Sequence, residues 1–382
     1  MAVYKLFPTQ DTTIYSRYPS RNTGLDSIIE ASVDKDAKLS RYLVQFSQNE
    51  INTLIDTTIS SSYGTSGSFE KIEAELKNYI SDIKNLNTDT TLEVFSVSDT
   101  WNMGTGHFND TPETDNGCSW VYRSYSGSNA WLTSGWPINV TGSYNDISGG
   151  GSWYTGSNLN LNITPTQVYN YSSNKDLKIN VTGILKTWYS QSKELTSDGF
   201  DNNGFIVKQS NEDEIGGLYK NAQLNFYSID TNTIYPPELQ LKWEDCIFNT
   251  GSSSTPIIST SELVVSLDNN PGEFRRDSIH KFKINCRPQF PTRVYQTSSI
   301  YLNQHYLPLS SSYAVKDLST NEFIIDFDDN YTRISADSAS SYFNLYMKGL
   351  EPERYYQILL KVPMDNQVLI LDDNYYFKVI NG

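Results

Sequence analysis

Cysteine is scarce in this 382-residue chain, and its spacing excludes a class of small stapled folds. The three cysteines are Cys118, Cys246 and Cys286, and none belongs to a Cys-x-x-Cys pair. An odd number without paired spacing argues against a disulfide framework or a zinc site. We therefore predict that all three are free thiols.

Positive charge and long apolar runs are also scarce. The chain has 29 Lys and Arg against 44 Asp and Glu, a formal net charge of -15. Proteins that bind phosphate backbones carry the opposite excess, so we predict no direct nucleic-acid partner. No apolar run approaches the roughly 20 residues that span a bilayer, and residues 1–5 lack the features of a signal peptide. We expect synthesis in a cytoplasm and no membrane insertion.

Histidine is equally rare, and no catalytic spacing is present. His107, His280 and His305 fall in three separate regions, where a surface or loop role is expected. The metalloprotease, nucleophile-elbow and phosphate-loop spacings do not occur. We therefore predict that the protein is not an enzyme.

Two carboxylate clusters could hold a hard cation through oxygen ligands. They occupy residues 212–214, in a predicted loop, and residues 326–329, at the end of a predicted strand. Neither forms a twelve-residue calcium loop, and solvated turns are the favoured interpretation. We predict no cofactor, with a structural calcium of unknown ligands as the alternative.

Aromatic and small polar residues are abundant instead. Aromatics make up 13% of the chain, with 27 Tyr, and charged residues only 19%. This composition is typical of strands and loops. Alternation of apolar and polar residues predicts strands at 11–15, 27–31, 41–46, 92–97, 177–181 and 239–243. Residues 71–76 also suit a helix by composition, but their period of two favours a strand.

Helical spacing is confined to two short stretches of the first 245 residues. Ile51, Leu54 and Ile55 suit a helix within residues 50–59. A second helix is predicted to begin at Thr182 as its N-cap, with Ile184, Leu185 and Trp188 on one face. Gly204, which follows two Asn residues, is expected in a turn with positive φ.

The segment from about residue 99 to 157, here called the insert, contains five of the seven tryptophans: Trp101, Trp120, Trp131, Trp136 and Trp153. A loop of this length is usually functional or a small subdomain. The tryptophans are our candidate binding residues, because exposed rings anchor protein interfaces and stack on sugars. The alternative is that they pack the insert onto its own domain.

After a Gly/Ser-rich linker at 246–261, strand patterns resume at 262–267, 281–285, 322–327, 342–347, 356–362, 367–371 and 375–380. About seven short strands are typical of an immunoglobulin-like sandwich. The predicted domains are therefore residues 1–245 and 262–382.

Eight segments of the first domain, in this order, resemble the DNRLRE-type domain, a jelly-roll β-sandwich related to carbohydrate-binding modules: Asp11–Ser16 with Asn22–Gly24, Arg41–Phe46, Ile72–Leu76, Trp101–Gly106, Val181–Trp188, Asn203–Ile206, Phe226–Ser228 and Pro237–Leu241. The resemblance implies an N-terminal jelly roll. The insert is longer and more aromatic than this family pattern requires.

In the second domain, the stretch from Gly349 to Leu360 resembles the Leu-x-Pro corner of fibronectin type III and immunoglobulin-like domains. The resemblance implies that Tyr356 is the corner tyrosine, its hydroxyl bonded to the preceding backbone. The whole chain, including residues 290–295, resembles structural proteins of tailed marine phage virions in general character rather than through a specific motif.

These observations predict an all-β protein: an N-terminal jelly-roll β-sandwich with the insert, then a C-terminal immunoglobulin-like β-sandwich. The resemblance implies a non-enzymatic structural protein of a phage virion, in the neck or collar, the tail or a capsid-decorating position. Its expected partners are other virion proteins, in several symmetric copies. The alternative function is a glycan-binding adhesin or receptor-binding module that recognises host surface glycans through the tryptophan-rich insert.

Overall fold

A computed structural model describes residues 2–34, 38–59, 72–86, 89–114, 116–125, 128–131, 149–154, 164–195, 199–210, 212, 222–243, 263–290, 305–364 and 367–381, and the backbone of residues 138–139. Within these residues the chain is almost entirely β-structure, and the predicted all-β sandwich fold is confirmed. The predicted linker at 246–261 lies outside the described residues.

The chain divides into two compact units. The first unit holds Leu6–Thr58 and Glu73–Leu241, and the second unit holds Met1–Lys5, Ile59–Ile72 and Lys242–Gly382. The N-terminal residues therefore group with the C-terminal half of the chain.

Burial alternates strictly along the strands at 72–78, 90–96 and 177–180. Strands form at every position that the sequence predicts between residues 2 and 243. The strands of this part of the chain are β1 (Ala2–Leu6), β2 (Pro8–Tyr15), β3 (Ile28–Val33), β4 (Leu39–Phe46), β5 (Ile72–Asn78), β6 (Ile80–Lys84), β7 (Thr90–Ser96), β8 (Tyr122–Ser124), β9 (Asn129–Ala130), β10 (Ile138–Asn139), β11 (Trp153–Tyr154), β12 (Thr166–Tyr169), β13 (Leu177–Asn180), β14 (Phe205–Gln209), β15 (Gln223–Tyr227) and β16 (Glu238–Trp243). The strand predicted at 71–76 is confirmed as β5.

An eight-stranded sheet forms the larger layer of the first unit. Its order is β12-β7-β14-β4-β3-β15-β6, and β2 pairs with β4 off this path. In a second sheet, β5 lies between β16 and β13. The strand predicted at 239–243 has no wet face at Gln240, which is buried and donates its amide to the buried Glu238 carboxylate at 2.8 Å.

Two short helices complete the described part of the first unit. Helix α1 (Gln48–Thr53) begins after Ser47, whose hydroxyl accepts from the Glu50 N–H, and continues as a π-helical turn at Leu54–Ile59. Helix α2 (Thr182–Ser192) buries Ile184, Leu185 and Trp188 as predicted.

The predicted role of Thr182 as N-cap is wrong. Val181 occupies that position without a side-chain cap, and Thr182 is the first helical residue. Its hydroxyl instead accepts a hydrogen bond from the Ala74 N–H at 2.9 Å. This hydrogen bond joins the start of the helix to β5. The Ala74 N–H takes the Thr182 hydroxyl oxygen that would otherwise accept from the helix's own N–H groups.

The second unit is a β-sandwich of two sheets. Its strands are β17 (Leu263–Asp268), β18 (Glu273–Arg275), β19 (Ile279–Pro288), β20 (Ser312–Asp317), β21 (Phe323–Ile325), β22 (Ser335–Ala336), β23 (Ser341–Tyr346), β24 (Tyr355–Met364) and β25 (Gln367–Ile380), with a 3₁₀ turn at Met347–Gly349. One sheet has the order β17-β19-β23-β22 and the other β18-β25-β24-β20-β21. The strands predicted separately at 367–371 and 375–380 are one strand, β25.

The aromatic corner of this unit has the geometry that the sequence predicts. The Tyr356 hydroxyl donates to the Glu351 carbonyl oxygen at 2.9 Å, and the ring is buried beside Phe377. Burial raises the pKa of the hydroxyl, and the Asp317 and Glu351 carboxylates raise it further. The tyrosine therefore stays neutral and keeps its proton for this bond.

The turn at Met347–Gly349 approaches the N-terminal strand so closely that position 349 requires glycine. A Cβ at Gly349 would overlap the Val3 carbonyl oxygen. Gly272, in the same unit, has φ +88° but would place its Cβ in open space. Position 349 therefore requires glycine because there is no room for a side chain. Position 272 favours glycine because of its positive φ alone.

We expect Gly349→Ala to destabilise the second unit by about 3 kcal/mol or more, because backbone must move to accommodate the methyl group. Gly272→Ala is the control and should cost about 1 kcal/mol, the strain of a left-handed residue. Urea unfolding followed by circular dichroism measures both. Equal losses in the two variants would contradict the close approach.

Candidate functional site

The tryptophans of the insert face inward. Trp101, Trp120, Trp131 and Trp153 are buried, at 7%, 1%, 2% and 2% exposure, in one apolar cluster with strand residues that include Ile14, Leu43 and Ile206. The Trp101 and Trp131 indoles donate to the carbonyl oxygens of Asn203 and Ser119. Their faces are therefore covered by protein, and packing accounts for these four rings. Trp136 lies outside the described residues.

A buried cation lies between two of these rings. The Arg41 guanidinium carbon sits 4.8 Å from the Trp120 ring centroid and 5.2 Å from that of Trp153. Its Nη1 donates to the Gly150 carbonyl oxygen, and its Nε and Nη2 donate to the Glu212 carboxylate at 2.7–3.1 Å. Arg41 therefore joins strand β4 to the insert.

Glu212 is the anion of this cluster. Its side chain is 1% exposed and lies 3.6 Å from the Lys208 ammonium, which also contacts Glu93 at 3.2 Å. The prediction of a solvated turn at residues 212–214 is wrong for Glu212, because a buried guanidinium requires a buried counter-charge. The other two residues of that cluster lie outside the described ranges.

The predicted turn at residues 326–329 has the ordinary geometry of an Asx turn. The Asp328 carboxylate accepts from the N–H groups of Asn330 and Tyr331. Across the part of the chain that the structure describes, no group of three or more metal-ligating side chains converges. In the same residues, no helix is long and apolar enough to cross a membrane.

The Cys286 thiol donates to the His305 backbone carbonyl oxygen at 2.9 Å, but the described histidines and cysteines form no cluster of three or more ligating side chains. His107 lies 3.5 Å from Asp26, whereas His280 and His305 belong to the second unit. Cys118 and Cys286 are free and buried, one in each unit, and Cys246 is outside the described residues. Burial raises the pKa of both thiols, to about 12 for Cys286. Neither thiol is therefore a ready nucleophile.

A groove of about 390 Å³ lies on the first unit, and we call it the polar groove. Its floor comes from side chains that alternate away from the core on adjacent strands: Glu30 and Ser32 on β3, Ser40 on β4 and Gln223 on β15. Its wall is aromatic, formed by Tyr15, Tyr18 and Phe108, and Arg17, Asp34, Lys38 and Asn85 also line it.

The Glu30 carboxylate organises the floor. One oxygen lies 2.5 Å from the Ser32 hydroxyl and 2.7 Å from the Ser40 hydroxyl, and the other accepts from the Gln223 amide at 3.0 Å. Hydrogen bonds to a charged acceptor are strong and directional. The floor is therefore preorganised in the folded protein.

The aromatic wall is fixed by groups from the insert and from the loop after β2. Phe108 meets the rings of Tyr15 and Tyr18 edge-on, with centroids 5.2 and 5.4 Å apart. Its N–H donates to the Asp26 carboxylate at 3.1 Å. Arg21 stacks over both Tyr18 and Phe108, so the exposed part of the wall has a defined shape.

Sequence reasoning missed this groove. Glu30 and Ser32 sit within a correctly predicted strand, and their period of two identifies them as its outward face. Tyr18 belongs to a predicted turn, and Phe108 belongs to the insert. The candidate binding residues predicted in the insert are its tryptophans, and Phe108 is not among them. The spacing between Tyr18 and Phe108 carries no signal that the two rings meet.

A second exposed feature lies on the second unit. Residues directly opposite in an antiparallel pair share one face of the sheet, and Ile370 opposes Lys361 while Val368 opposes Pro363. Further along the two strands this outer face continues with Tyr376 and Tyr355. We call the face made by these exposed apolar residues, Val368, Ile370, Tyr376, Tyr355 and Phe323, the outer face.

Comparison with known proteins adds little to these surfaces. No protein-family model and no curated protein matches the sequence. Among solved structures, the chain is similar to a DUF4785 family protein from Legionella pneumophila, with 9% identity and a TM-score of 0.18. The match covers 98% of this chain and 66% of the Legionella protein.

We expect Glu212→Gln to destabilise the first unit by about 3–5 kcal/mol, because it leaves the Arg41 charge buried without its counter-ion. The matched control is Glu113→Gln, at the exposed pair with Arg21, which should cost less than about 1 kcal/mol. Urea unfolding followed by tryptophan fluorescence measures both losses. Similar small losses would show that Arg41 does not depend on Glu212.

Asp11, on β2, gives the first unit a predictable pH dependence. Its buried carboxyl accepts from the Ile229 N–H at 2.7 Å, and Oδ1 has no partner among the described residues. Burial raises its pKa to about 8, and the Asp230 carboxylate adds to the rise. The folded state therefore prefers the protonated acid.

The stability that Asp11 contributes should be complete below about pH 4 and decline as the pH rises to about 8, by up to about 1.4 kcal/mol per pH unit. Asp11→Asn, which is neutral throughout, should remove this decline and be the more stable form at the alkaline end. Urea unfolding across this pH range tests the sign. A parallel decline in both proteins would contradict it.

Proposed function

We propose that this chain is a non-enzymatic structural protein of a tailed phage virion, a component of the neck or collar, the tail or the capsid decoration. Its work is docking onto other virion proteins, in several symmetric copies. The observation that carries the docking role is the outer face of the second unit, and the family resemblance of the sequence supplies the virion setting.

The outer face has the composition of a protein-binding surface. Val368, Ile370 and Tyr355 are 59%, 54% and 56% exposed, on strands whose inward residues Ile358 and Leu360 are fully buried. The sandwich core is therefore complete without them. Several exposed apolar side chains on one face of a sheet are typical of docking surfaces.

Charge narrows the kind of partner. Lysines accompany the aromatic rings on this face: Lys378 lies 5.8 Å from the Tyr355 ring centroid and Lys316 lies 5.9 Å from that of Phe323. Lys361 opposes Ile370 directly. Lys378 is already paired with Glu353, so Lys316 and Lys361 are the cations that would orient a partner with apolar side chains and carboxylates.

We expect Ile370→Lys to reduce the number of copies per particle by about tenfold or more, since a charge at the centre of an apolar contact costs at least about 1.4 kcal/mol. Particles made in a host that supplies only the variant are purified and quantified by mass spectrometry. Leu195→Lys, at an equally exposed position on the first unit, is the control and should be incorporated normally.

The two parts of the proposal can fail separately. If the wild-type protein is not found in purified particles, the virion role is refuted. Normal incorporation of Ile370→Lys would refute docking through the outer face. Circular dichroism of the purified variant confirms that the sandwich is still folded.

A further inference from the structure

We infer that the polar groove of the first unit is a binding site for a neutral saccharide, one or two pyranose rings of a longer glycan. The inference is independent of the virion proposal and of the buried tryptophans. It stands on the shape of the groove, the balance of its charges and the chemistry of its floor and wall.

The size of the groove suits a small ligand. Its volume of about 390 Å³ lies at the lower end of the range of roughly 300–1,000 Å³ that is usual for small-molecule sites. The groove is open to solvent along one side, so a sugar within a chain can enter without being released from its neighbours.

The charges of the lining cancel. Two cations, Arg17 and Lys38, face two anions, Glu30 and Asp34, and Arg17 pairs with Asp34 at 2.6 Å. An anionic ligand would meet the Glu30 carboxylate on the floor. A cationic ligand would have to compete with the three donors that already surround that carboxylate. The lining therefore favours a ligand without net charge.

The floor matches the hydroxyl groups of a sugar. Ser32 and Ser40 direct their protons towards Glu30 or towards each other, and both are buried, so they support the carboxylate from within the protein. The Glu30 carboxylate is half-buried and can accept from ligand hydroxyls. The Gln223 side chain adds an amide with both donor and acceptor atoms. Ser32 and Ser40 are 8% and 1% exposed, so these groups stay in place when the groove is empty.

The wall matches the other side of a pyranose, where C–H groups form an apolar face. Tyr18 and Phe108 present ring surface at the groove, and Arg21 and Asp26 hold the two rings in position. A hydroxyl-binding floor beside an apolar wall is the arrangement that an amphipathic, uncharged ring requires.

The test is ligand-observed saturation-transfer NMR on the full chain. The probes are glucose, galactose, mannose, N-acetylglucosamine and their homodisaccharides, with glucosamine and N-acetylneuraminic acid as charged counterparts. We expect at least one neutral probe to bind and to bind better than the charged sugars. The strongest transfer should go to the C–H protons of one ring face.

Variants locate the site. Tyr18→Ala should weaken binding by about tenfold, because it removes ring surface from the wall. Glu30→Gln should weaken it by a smaller factor, because an amide offers one neutral acceptor oxygen in place of two charged ones. Tyr171→Ala, 96% exposed on the same unit and outside the groove, is the matched control and should bind as the wild type does.

Three results would overturn the inference. The first is no binding by any neutral probe. The second is tighter binding of a charged sugar than of every neutral one. The third is neutral-sugar binding that is unchanged in both Tyr18→Ala and Glu30→Gln when circular dichroism shows both variants folded.

Discussion

The interaction on which the first unit depends is the burial of the Arg41 charge. A guanidinium that is removed from water must be paired and hydrogen-bonded, or its desolvation outweighs what it contributes. Arg41 meets this demand with Glu212, the Gly150 carbonyl oxygen and the faces of two tryptophans. These partners come from different parts of the chain, so one buried cation constrains the sheet, the insert and the loop after β14 together.

The glycine run at 149–151 is part of the same constraint. Gly150 has φ +91°, and a Cβ there would lie 2.6 Å from Arg41 Nη1 and 2.7 Å from the Trp120 ring. Only glycine lets the backbone carbonyl approach the guanidinium so closely. The insert is therefore held at residues 149–151 against the sandwich, and its buried tryptophans pack with residues of strands β2, β4 and β14.

Local patterns in the sequence predicted the elements well and their tertiary partners poorly. The strands β2, β4, β5 and β7 form where the sequence predicts them, and burial alternates with a period of two in β5 and β7. Gly204 has the positive φ that its turn requires. Glu212 was assigned to a solvated turn because its neighbours are acidic. Its partner Arg41 lies 171 residues away, a separation that no window along the sequence can detect.

The same limit explains the candidate site. A tryptophan has a large apolar surface, and composition alone does not show whether that surface meets a ligand or a core. The rings of Trp120 and Trp153 are buried because their faces cover the charge of Arg41. Thr182 shows the limit at a helix start, where a cap that fits the sequence lost its oxygen to the Ala74 N–H of another strand.

Although the described tryptophans of the insert are buried in the core, another insert residue, Phe108, forms part of the protein surface at the polar groove. Asp26 and Arg21 hold Phe108 against Tyr15 and Tyr18, so the polar groove exists only where the insert and the sheet meet. The buried tryptophan cluster makes the groove rigid. The outward residues of β3, β4 and β15 supply its hydrogen-bonding groups. These outward residues contribute little to the core, and the groove's recognition groups can therefore differ among proteins without loss of the sandwich.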